Sequence, residues 1–175
     1  MSTGIVFTVV GDDKPGLVEK LAHTVAAHGG NWLESRMGEL AGHFAGIVHV
    51  AVGEAQLPAL RSALEALGDD GLRVVVAVGK HEVTADTARP MQLSIVGNDR
   101  PGIVREVSSA LAVRHINVRE IATSITNAPM SGDALFTATA TIEIPMTSDL
   151  AELARQLETI ADALSLDIDL EEAPH

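Results

Sequence analysis

A segment of this chain recurs in register 86 positions further on, and that repetition constrains the fold more than any other feature. Val10-Gly11-Asp12-Asp13-Lys14-Pro15-Gly16-Leu17-Val18 returns as Val96-Gly97-Asn98-Asp99-Arg100-Pro101-Gly102-Ile103-Val104. Comparing residues 10–36 with 96–122 gives nine identities in 27, and the register holds through Asn31 and Glu34 against Asn117 and Glu120. The chain therefore reads as a tandem of two like modules, expected at residues 1–79 and 91–171 with a polar linker at 80–90. What recurs is an apolar strand, a tight acidic turn, and Pro-Gly opening a helix. A helix start carries backbone N–H groups with no partner in the helix, together with the positive end of the helix dipole. Such a start suits an anion or a carboxylate.

Each module must pack an aliphatic core. With 46% apolar residues but only three Phe, one Trp and no Tyr, packing falls to Leu, Ile, Val and Ala. No apolar run is long enough to span a membrane and no basic region precedes an apolar stretch at the N-terminus, so a cytoplasmic protein is expected. The absence of cysteine excludes disulfides, thiolate metal sites and thiol nucleophiles. Twelve basic against 24 acidic residues leave a net charge of −12, which opposes binding to a phosphate backbone. Any effect on transcription should pass through a protein partner.

Hydrophobic periodicity orders the elements. Thr3 to Val10 alternates as a strand, and Pro15 suits the first position of a helix. That helix carries a stripe of Leu17, Val18, Leu21, Ala22 and Val25 and stops at Gly29-Gly30. Strands follow at about Asn31 to Leu40 and His43 to Val52, then a helix opened by Pro58 and a strand from Leu72 to Val78. The second module repeats the order: a strand at Met91 to Val96, a helix from Pro101 to His115, and strands near Asn117 to Thr126 and Asp133 to Ile144. A helix from about Ser148 and a strand alternating Leu166, Ile168 and Leu170 complete it. The order β-α-β-β-α-β is the ferredoxin-like arrangement, an α+β fold with two helices on one face of a four-stranded antiparallel sheet. Val, Ala, Thr and Ile on the other face imply pairing of modules, within the chain or between chains.

At the strand, acidic turn, Pro-Gly helix start and following asparagine, the chain resembles the ACT domain, a small-molecule sensing module of amino-acid metabolism. It resembles in particular the glycine cleavage system transcriptional repressors, short accessory regulators made of two such modules. The residues that carry this second likeness are Asp-Lys-Pro-Gly-Leu-Val, Asn31 to Met37, and the long loop Asn127 to Gly132 in the second module only. The resemblance implies a non-catalytic regulator without cofactor or metal, a homodimer that binds a small amino acid such as glycine between two modules. It also implies a partner such as a DNA-binding regulator, and no contact with nucleic acid or membrane. Carried over residue by residue, the ligand-binding positions are Asp13, Gly16, Asp99 and Gly102 in the turns and Asn31 and Asn117 at the strand starts. In ligand-binding relatives Asn often stands where this chain has Asp13 and Asp99. The added charge favours an ammonium and opposes a carboxylate placed too near.

Other readings are open at the level of sequence. The turn can be purely structural, since Asp, Pro and Gly are common there, and Asn31 and Asn117 can be left-handed helix exits. Trp32 suits packing at a module interface better than ligand contact. His23 with His28, and His43 with His49, lack the spacing and carboxylates of a metal site. A regulatory subunit of an amino-acid biosynthetic enzyme would need the same modules. An acyl-phosphate hydrolase would need Arg and Asn on a phosphate-binding turn, where Asn98 and Arg100 flank a repelling Asp99.

Overall fold

The structure is a computed structural model that describes residues 2–78, 88–128 and 132–173. The chain divides into two compact units, Met1–Val83 and Thr84–His175. The first contains β1 (Ser2–Asp12), α1 (Leu17–Ala27), β2 (Asn31–Leu40), β3 (His43–Gly53), α2 (Leu57–Ala66) and β4 (Arg73–Val78). A short 3-10 turn, Leu67–Asp70, joins α2 to β4. The second contains β5 (Ala88–Asn98), α3 (Ile103–Ala112), β6 (Asn117–Asn127), β7 (Ala134–Pro145), α4 (Leu150–Leu164) and β8 (Leu166–Glu172). Each unit is one four-stranded antiparallel sheet, ordered β2-β3-β1-β4 and β6-β7-β5-β8. This is the expected ferredoxin-like topology, with the first and third strands in the centre. Of the expected linker, residues 80–87 lie outside the described residues, whereas Ala88 to Pro90 already pair with Glu143 to Pro145 in β5 and β7.

Strand alternation places the core. Ile5, Phe7 and Val9 on β1 and Val48, Val50 and Val52 on β3 are buried beneath Leu17, Leu21 and Val25 of α1 and Leu60 and Leu64 of α2. The second core has the same plan, with Leu93 and Ile95 under Ile103, Val107, Leu153 and Leu157. The buried stripe of α1 is narrower than the periodicity predicts. Val18 and Ala22 are exposed.

Both first helices begin two residues later than Pro15 and Pro101 predict. Gly16 and Gly102 occupy the N-cap positions at φ 90° and 101°, so helical geometry starts at Leu17 and Ile103. A left-handed glycine swings the chain from strand into helix, and the proline stiffens the turn before it. At the far ends, Gly29 (φ 69°) and His115 (φ 56°) take the left-handed exit. Gly30 and Ile116 each donate a backbone N–H back to a helix carbonyl, Val25 O and Leu111 O.

The helix starts differ in how their free N–H groups are satisfied. On α4 the Asp149 carboxylate accepts from the N–H groups of Ala151 (2.9 Å) and Glu152 (3.1 Å). Asp149→Ala should therefore cost about 1 kcal/mol. A thermal melt should show this as a fall of roughly 4–8 °C in the transition of the second unit.

Candidate functional site

On α1 and α3 no side chain caps the N-terminus. The first N–H groups of Leu17, Val18, Ile103 and Val104 thus have neither an intrahelical nor a side-chain acceptor. A Cβ built on Gly16 or Gly102 would meet nothing within 4 Å, so the space beside each helix start is open. The turn before it is fixed from behind. The backbone N–H of Asp13 donates to Gly42 O (2.9 Å) in the β2–β3 hairpin, and that of Asp99 donates to Ala134 O (2.8 Å) at the start of β7. These bonds hold the backbone and leave both carboxylates exposed, without a hydrogen bond or ion pair among the described residues. Neither aspartate acts as a helix cap.

The basic residue of the repeat has a structural task that sequence reasoning missed. Lys14 Nζ donates to Asp70 O (3.2 Å) and Arg100 Nη1 reaches Leu164 O (3.5 Å). In both modules this cation meets carbonyls at the end of the second helical segment, where the helix dipole is negative. A cation at the same place in both copies was the available signal. In the first module Lys20 adds an ion pair to the Asp70 carboxylate. The hydrogen bond from Lys20, and then its charge, hold that carboxyl below its usual pKa.

Asn31 and Asn117 are the first residues of β2 and β6, not left-handed helix exits. Asn31 pairs with Ala51 near the end of β3, whereas Asp12, beside the turn, pairs with His43 at its beginning. The turn and the asparagine of one module therefore lie at opposite ends of the sheet. At about 3.3 Å per residue they are separated by roughly 26 Å. The second module has the same disposition, with Asn117 opposite Glu143 and Asn98 opposite Leu135. Asp13, Gly16 and Asn31 are not brought together within a module, and neither are Asp99, Gly102 and Asn117.

Trp32 is half-buried on the helix-facing side of β2. Its ring meets Phe7 edge-on, with centroids 6.3 Å apart, and it packs on the first core with Met37. Val118 and Thr123 hold the same repeat positions in the second module. The lost bulk leaves an apolar groove between α3 and β6, walled by Val104, Val107, Leu111, Val118, Ile121 and Phe136. Of the paired histidines, His28 Nδ1 lies 2.9 Å from Thr24 O on its own helix, and His43 Nδ1 is 3.5 Å from Asp12 Oδ1. Among the described residues no three His, Asp or Glu side chains gather as a metal site would need. Nor is any described helix long and apolar enough to cross a membrane.

Comparison with known proteins follows the same division. Profiles of the ACT domain match residues 3–76 and, separately, residues 85–167. The chain belongs to the ACT-domain family. Its two ACT modules together match a solved structure of an unknown protein from Galdieria sulphuraria at 29% identity, covering 99% of this chain and 100% of that one with a TM-score of 0.89. They also match the structure of a candidate glycine cleavage system transcriptional repressor at 17% identity, covering 100% of this chain and 99% of that one with a TM-score of 0.71. At that identity the second likeness establishes the tandem fold. No curated protein matches the sequence.

Proposed function

We propose that this tandem ACT protein is a non-catalytic sensor of a small amino acid, with glycine as the first candidate. It regulates transcription through a protein partner rather than by touching DNA. The observation that carries this reading is the duplicated helix opening, uncapped, open beside its left-handed glycine, and flanked by an aspartate whose carboxylate has no partner among the described residues. The N–H groups of α1 or α3 suit an α-carboxylate and the aspartate an α-ammonium, so an amino-acid zwitterion satisfies both. Because turn and asparagine lie at opposite ends of a module, the amide that completes the site comes from a second module. The simplest supplier is another copy of the chain in a homodimer. A ligand held across such a seam favours the paired arrangement by its higher affinity for it, and so changes what the surface offers a partner. The net charge of −12 supports a protein output over a nucleic-acid one.

The test is a titration of the purified protein with glycine, L-serine and the branched-chain amino acids, followed by Trp32 fluorescence and thermal melting. A ligand at a hundred times its Kd should stabilise the protein by about 2.7 kcal/mol. Asp13→Ala should remove that shift without lowering the melting temperature of the free protein. No shift with any of these amino acids, or a shift that Asp13→Ala leaves intact, contradicts the proposed site. Affinity purification from extract addresses the output: a DNA-binding regulator supports this reading, and an amino-acid biosynthetic enzyme supports a role as its regulatory subunit.

A further inference from the structure

The two strand-start asparagines are equivalent in the repeat but not in their surroundings. Both β2 and β6 carry a bulge at the same place, between Trp32 and Glu34 and between Val118 and Glu120. Structural counterparts can therefore be matched residue for residue. Opposite Asn117 stands Glu143, and at the bulge stands Arg119. Asn117 Nδ2 donates to Glu143 Oε2 at 3.0 Å, and Arg119 Nη1 lies 3.4 Å from Glu143 Oε1. The Glu143 side chain is only 21% exposed. In the first module Ala51 stands where Glu143 does and Leu33 where Arg119 does. The Asn31 amide has no hydrogen-bond partner among the described residues.

We propose that these asparagines have separate roles, an inference that rests on the amino-acid-sensing reading above. Asn31 is the ligand-contacting amide, whereas Asn117 is a structural strap holding the start of β6 to β7. The chemistry of the triad supports this division. A ligand carboxylate that approached the Asn117 amide would have to displace Glu143 and then sit beside its negative charge. An ammonium would find Glu143 already neutralised by Arg119. Among the described residues no side chain bonds the Asn31 amide, and the apolar Ala51 and Leu33 stand where Glu143 and Arg119 do, which leaves its N–H and carbonyl available to a zwitterion. The chain therefore takes one amino acid, not two.

Calorimetric titration with glycine, L-serine and the branched-chain amino acids, paired with melts of the ligand-free proteins, tests the division. Wild type should bind one ligand per chain. Asn31→Ala should weaken binding at least tenfold with an unchanged ligand-free melting temperature. Asn117→Ala should bind within twofold of wild type but melt about 4–8 °C lower, as expected for the loss of about 1 kcal/mol of side-chain hydrogen bonding in a module of this size. Two ligands per wild-type chain, or a tenfold loss of affinity in Asn117→Ala, would overturn the proposal and leave the sensing function standing. If wild type binds none of these amino acids, the sensing reading itself falls and this inference falls with it.

Discussion

Phe7→Ala should cost the first module about 3–5 kcal/mol, the range for removing a large aromatic from a core that cannot collapse to fill the space. Phe7 is fully buried at the middle of β1, with Val48 and Val76 beside it on the neighbouring strands and the Trp32 ring against its edge. The neighbours that would have to close the cavity belong to a hydrogen-bonded sheet and cannot move toward it freely. The whole stability of a small domain is of the order of 5–15 kcal/mol, so the variant should stand near the threshold of unfolding at ambient temperature. Trp32 is the only indole in the chain and touches the deleted ring. Denaturant titration followed by its fluorescence reads this module directly. A loss below about 1 kcal/mol would mean that the core repacks around the gap, against the close packing described above.

Gly11→Ala should be nearly as damaging for a different reason, at about 2–3 kcal/mol in the range of core overpacking. A Cβ at Gly11 would lie 2.5 Å from the carbonyl oxygen of Gly71 and 3.0 Å from Leu72 Cδ2. The backbone entering β4 crosses so close to β1 that only a hydrogen fits. Its repeat partner Gly97 has the same restriction, 2.5 Å from Leu166 Cδ2 and 3.0 Å from Ser165 O. At Gly16 and Gly102 the space is open and only the positive φ demands glycine. There an alanine should cost about 1–2 kcal/mol, the ordinary penalty for a left-handed L-residue. Equilibrium unfolding of Gly11→Ala beside Gly16→Ala separates the two causes. Equal losses would show that crowding at Gly11 is relieved by a small backbone shift.

The comparison of these glycines shows where sequence reasoning stopped. All four recur in the repeat and all could be assigned to turns. Nothing along the chain distinguishes a glycine needed for its φ from one needed for the approach of a strand some 60 residues away. The same limit moved the helix starts from Pro15 and Pro101 to Leu17 and Ile103. It also left Val18 and Ala22 exposed on a face that periodicity assigned to the core. Within the candidate site, Asp13, Asp99, Asn31 and Asn117 were all named from the repeat. Their placement at opposite ends of the sheet, and the capture of Asn117 by Glu143, were not legible, because both depend on the register of β2 with β3 and of β6 with β7.

The sequence by itself determined the duplication, the order β-α-β-β-α-β in each copy, the aliphatic core and the acidic surface. These follow from local periodicity, turn chemistry and composition, which act between residues near one another along the chain. Only the tertiary structure decided which helix starts remain uncapped, which asparagine a glutamate holds, and which glycines a neighbouring strand crowds. Those properties arise where segments distant in sequence come within a few ångströms, and strand register and bulges set that proximity.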